Sequence, residues 1–90
     1  MALLIKPNNT SEVVTPSGVD GKFTLEELQE LVGGYIEVVK TLNEIMIINE
    51  EGLPLKLPKN EIATMMCKDL RIGPDYIYGN ALLVEENEIE

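Results

Sequence analysis

Hydrophobic positions along this chain fall into short groups separated by turn-forming stretches, and their spacing predicts which groups are strands and which are helices. "ALLIKP" (2–7) and "SEVVTP" (11–16) are apolar runs of strand length, each stopped by a proline. The turn-rich "KPNNTSE" between them predicts an N-terminal hairpin. Leu25, Leu28, Leu31 and Val32 then recur at helical spacing, while Glu26, Glu27 and Glu30 fall on the other side. Thr24 with Glu27 three residues later forms a capping box, and Phe23 before the cap can staple to Leu28. Two acids in the first turn suit the helix dipole, and Gly33–Gly34 ends the helix, because glycine enters the left-handed region cheaply.

Residues 35–40 and 45–49 predict two strands joined by a "TLNE" hairpin turn. Ile45 to Ile48 is apolar at every position, which predicts a strand covered on both faces near the middle of the sheet. "EEGLPLKLPKN" is a loop, and Gly52 within it is expected to take a positive φ where the strand turns. Asn60 then caps a second helix, "EIATMMCKDL", whose apolar stripe is Ile62, Met65, Met66 and Leu70, and "RIGPD" breaks it. A last strand over about 81–85 precedes an acidic tail at about 86–90, expected to be solvated. The order β-β-α-β-β-α-β predicts an α+β fold. It is a single domain over 1–90 with a small antiparallel or mixed sheet of about five strands and two helices, mainly on one face.

"VDGKFTLEEL" (19–28) has the look of the second half of an EF-hand loop, with Gly21 at the sixth position and Glu27 at the twelfth. Such a loop needs oxygen ligands at positions 1 and 3 and a helix ahead of it. Here those positions are Pro16 and Gly18, and the preceding segment is strand-like. The stretch is a turn followed by a stapled and capped helix.

Composition narrows the chemistry. Sixteen acids against seven bases give a net charge of −9, which argues against direct nucleic-acid binding and against anionic membranes. The charge is uneven. Between Leu53 and Ile72, four cations (Lys56, Lys59, Lys68, Arg71) face two acids, so that stretch carries +2 and the rest −11. With no histidine and a single cysteine, Cys67, no intrachain disulfide and no zinc site of two thiolates exists. A nucleophilic Cys67 would lack the usual base, and Met65, Met66 and Cys67 read as core. Glu50 and Glu51 are a weak carboxylate pair without a third ligand. No catalytic set and no resident cofactor are expected. "ALLI" is too short for a signal peptide or a membrane span, and the composition reads as cytoplasmic.

One position draws chemical interest. The second helix starts at Asn60 inside the basic stretch, and a helix N-terminus beside lysines is an anion site. The candidate ligand-binding residues are Lys56, Lys59, Asn60, Thr64 and Arg71, with Tyr35 after the Gly33–Gly34 pair as a stacking partner.

"ALLIKP", "FTLEELQELVGGYIEVV", "MIINEEG", "LPKNEIAT" and "YGNALLV" together resemble the DUF3846 family, small proteins of phages, plasmids and some bacteria with no assigned function. The resemblance runs nearly end to end. Asn80 stands where it leads one to expect aspartate. It implies a mobile-element origin and a compact α+β fold, and it carries over no catalytic residue. The expected function is a non-enzymatic accessory protein for counter-defence in a host cytoplasm. It would sequester a phosphorylated nucleotide-type molecule, in a pocket between subunits of a homo-oligomer. The alternative is an acidic, DNA-mimic-like inhibitor that meets a basic host protein through Glu26, Glu27, Glu30 and the acidic tail.

Overall fold

The structure is a computed structural model describing residues 2–17, 20–40, 44–52, 54–70 and 76–89, with the side chains of 68–70 excepted. In chain order the elements are β1 (Ala2–Ile5), β2 (Ser11–Val14), α1 (Leu25–Val32), β3 (Ile36–Lys40), β4 (Ile45–Asn49), α2 (Glu61–Leu70) and β5 (Ala81–Val84). A 3-10 turn over Glu86–Glu88 follows. The anticipated "TLNE" turn falls mostly, and the "RIGPD" breaker wholly, outside the described residues.

The strands pair in the order β2-β1-β5-β4-β3, every neighbour antiparallel. β2 and β3 form the edges, and α1 carries the chain from one edge to the other. β4 lies between β3 and β5, and all five of its residues are buried. That is what its unbroken apolar run predicts.

The helices do not share a face, contrary to the expectation from the element order. Leu28 and Val32 of α1 pack with Ala2, Leu4, Ile45, Ile47, Leu82 and Val84. Ala63 and Cys67 of α2 pack with Ile5, Val39, Met46, Ile48 and Ala81. Odd and even positions of β4 therefore enter different cores. A strand apolar at every position needs cover on both sides, and one helix supplies each.

α1 begins and ends as its sequence dictates. Thr24 accepts from the Glu27 backbone N–H at 3.2 Å, and the Glu27 carboxylate accepts from the Thr24 N–H at 3.2 Å. Gly33 closes the helix at φ +85. Phe23 and Leu28 both lie in the first core.

α2 differs from expectation in the stripe it buries. Ala63, Thr64 and Cys67 are buried, whereas Met65 is 63% and Ile62 37% exposed. Asn60 donates to the carbonyls of Ile5 and Gly79, and Thr64 accepts from the Ile77 N–H, and these bonds set the rotation of the helix about its axis. Small Ala63 and small Ala81 belong to the same core. The Leu70 side chain is outside the description.

The C-terminal stretch is not uniformly solvated. Glu86 and Asn87 are exposed, but Glu88 is buried and accepts from the Glu85 N–H at 3.1 Å. Ile89 bridges Phe23 and packs on the first core.

Candidate functional site

Asn60 has no exposed surface. Its amide nitrogen donates to the carbonyls of Ile5 at 2.8 Å and Gly79 at 2.9 Å, and its side-chain oxygen accepts from the Ala63 N–H at 3.1 Å. Its own N–H donates to Ile77 O at 2.7 Å. Thr64, one turn on, donates its hydroxyl to Asn60 O at 2.7 Å and accepts from the Ile77 N–H at 2.9 Å. The two residues clamp α2 to β1 and to the segment before β5. Their polar atoms are engaged with the chain itself, and Glu61 adds an acid to the first turn of α2.

The other candidates are dispersed. Lys59 is exposed and holds its ammonium 4.0 Å from the centre of the Tyr76 ring, a cation–π contact. Lys56 is exposed in a turn at φ +56, where the Leu57 N–H donates to Gly52 O at 3.0 Å. Tyr35 is 65% exposed and lines a shallow hollow with Gln29, Gly34 and Glu51, apart from both lysines. Arg71 lies outside the described residues. The structure thus joins Asn60 to Thr64 and Lys59 to Tyr76.

The more developed concavity is elsewhere. At the end of the sheet where β1 and β4 finish and β5 starts, a cleft of about 610 Å³ opens beside the C-terminus of α1. Pro7, Leu31, Leu57 and Pro58 give it apolar walls, and Lys6, Asn8, Glu30 and Asn80 supply its polar side chains. Its volume falls within the ordinary range for small-molecule sites. The Lys6 ammonium is 3.6 Å from Glu12, and both side chains are solvent-accessible.

Sequence reasoning missed how this cleft is held together. A helix leaves its last carbonyls without partners, and α1 has no basic residue in its final turn. Two asparagine amides fill the gap. Asn80 donates to Leu31 O and Asn49 donates to Val32 O, each at 3.1 Å. The readable signal was a helix ending in Val-Gly-Gly with no cation, followed by asparagines at strand ends.

Gly52 does not have the expected positive φ. It is glycine for lack of space, because a Cβ there would lie 2.8 Å from Tyr78 O. Cys67 is buried, with its sulfur 3.7 Å from that of Met46, and burial pushes its thiol pKa up. That environment suits packing rather than nucleophilic attack. Among the described residues, no three acidic or cysteine side chains converge as a metal site would require, and no helix is long and apolar enough to cross a membrane.

A family model, described as a domain of unknown function, matches residues 1–90. The chain belongs to the DUF3846 family. No curated protein and no solved structure matches it. In this DUF3846 chain the stretches that carry the resemblance contain the fastenings of the fold: Gly33 closes α1, Asn49 caps it, and Asn60 clamps α2. Asn80, noted as a departure, has a donor's task that an aspartate at the same place could not perform.

Proposed function

We propose that this DUF3846 protein is a non-catalytic binding protein whose ligand enters the cleft between the end of α1, the β1–β2 turn and the segments at Leu57–Pro58 and Gly79–Asn80. The observation that carries this reading is the cleft itself, with apolar walls on a braced floor. Its electrostatics favour one kind of ligand. The C-terminus of α1 presents the negative end of the helix dipole, Glu30 adds a carboxylate, and the lysine of the lining, Lys6, lies 3.6 Å from Glu12, which offsets its charge. An uncharged or cationic small molecule with an apolar body suits it better than a phosphate ester. A phosphorylated nucleotide, with its counter-defence use, would instead need the corner where Lys59 lies over Tyr76, with Lys56 nearby in sequence.

Ligand-observed NMR against matched nucleosides and nucleotides tests the assignment. The cleft predicts that neutral or cationic compounds bind and that Pro58→Trp, which places an indole at its wall, abolishes their binding. Retained binding in Pro58→Trp together with loss in Lys59→Ala would move the site to the basic corner. A second reading, contact with a basic protein, is supported by the outer face of α1, where Leu25 is 56% exposed beside Glu26.

A further inference from the structure

β2 is an edge strand whose outer side has no partner strand among the described residues. In an antiparallel pair, hydrogen-bonded and non-hydrogen-bonded positions alternate. The Lys6 N–H donates to Thr10 O at 2.8 Å, and the register pairs Leu4 with Glu12 and Ala2 with Val14. Glu12 and Val14 therefore turn their backbone groups towards β1. Ser11 and Val13 present theirs outwards. Both are exposed, Val13 by 60%. Neither proline nor lysine occupies β2, so two common means of blocking an edge are missing.

On the α1 side of the sheet, inside this edge, lies a groove. A second hollow, lined by Val14, Thr15, Phe23, Glu27, Glu30 and Leu31, lies between the end of β2 and α1. It shares Glu30 and Leu31 with the cleft at the other end of α1. The two concavities follow one side of α1 along its length. An eight-residue helix is about 12 Å long, and four extended residues span about 13 Å. The floor is apolar, and its flanks carry Glu12, Glu27 and Glu30, with Lys6 as the single cation among the described residues there.

We propose that the outer edge of β2 accepts an extended peptide segment of a partner protein by strand addition, with alternating apolar and basic side chains. Main-chain bonds to Ser11 and Val13 supply the pairing, and alternate side chains face α1. Side chains alternate across a strand, so the basic residues take the α1 face and reach over β2 towards Glu12, Glu27 and Glu30, while the apolar residues take the opposite face beside the exposed Val13. Charge selects this occupant over a second copy of the chain, which would bring the same acids and a further net charge of −9 to the groove.

The test is a backbone-amide NMR titration with acetyl-Lys-Val-Lys-Val-Lys-amide, using acetyl-Glu-Val-Glu-Val-Glu-amide as the comparison. The proposal expects the basic peptide alone to bind, with slowed hydrogen exchange at Ser11 and Val13 and shifts at Val14, Glu30 and Leu31. Val13→Pro removes an outward N–H and leaves the β1 ladder intact, so it is expected to fold and bind at least tenfold more weakly. Glu30→Lys, at an exposed helix position, is expected to weaken binding without touching the edge. Equal binding of the two peptides, no binding of either, or unaltered affinity in both variants would overturn the proposal. So would a peptide-free dimer that Val13→Pro dissolves, which would assign the edge to a second copy.

Discussion

Asn60 shows how one side chain can be a cap by type and a clamp by position. Its two amide donors reach the carbonyls of Ile5 and Gly79, far apart in sequence. Leaving buried carbonyls without donors costs about 1–3 kcal/mol each, against a total stability of about 5–15 kcal/mol for an ordinary domain. Asn60→Ala is therefore expected to lower unfolding free energy by about 3 kcal/mol or more in a urea titration. A loss below about 1 kcal/mol, the worth of a simple cap, would show that the clamp contributes little. Asn80→Asp replaces the donor to Leu31 O with a carboxylate at the negative end of α1. It is expected to destabilise by about 1–3 kcal/mol, while Asn80→Ala loses less because it adds no charge. The cap at Asn60 was legible in the sequence. Its burial was not, because a cap pattern reports contacts within three residues and says nothing of partners 55 and 19 positions away.

At the scale of elements, local rules succeeded where their causes are local. The capping box at Thr24 and Glu27 and the glycine end at Gly33 follow from side-chain and backbone chemistry within a few residues. Thr24→Ala is expected to cost about 1 kcal/mol. Glu27 gives a pH-dependent counterpart. Hydrogen bonds from the Thr24 N–H first, and then from the Ser17 side chain, hold its carboxyl below the usual value of 4.5 in the folded protein. Its contribution is thus present above about pH 4.5 and disappears as pH falls through the lower folded value. Glu27→Gln is expected to lower Tm at pH 7, and its difference from the parent should shrink as pH falls into that acid window. A constant difference down to pH 3 would contradict the capping role. The stripe on α2 was misassigned because periodicity ranks residues by hydrophobicity, whereas the hydrogen bonds of Asn60 and Thr64 set which side faces in. Gly52 makes the same point for loops. Its requirement comes from Tyr78, 26 residues on, and Gly52→Ala is expected to cost about 1–3 kcal/mol through the clash.

For the whole molecule, an unbroken apolar β4 located the centre of the sheet correctly, but element order pointed to helices on one face, whereas α1 and α2 cover opposite faces. Layering by two helices on opposite faces leaves the ends of the sheet as the places where concavities form. The basic segment drew attention to the start of α2, yet the structure invests Asn60 and Thr64 in its own backbone and opens its cleft at the end of α1 instead. Charge along a sequence is easily counted, whereas a cleft assembled from four segments is visible only after folding. The most direct test of this account is a fragment titration followed by backbone-amide NMR on the intact chain. The account predicts that binding fragments shift Leu31, Gly33, Leu57, Gly79 and Asn80 together and leave Lys59 to Thr64 unmoved. Shifts confined to Lys56, Lys59, Asn60 and Thr64 would contradict it and return the site to the start of α2.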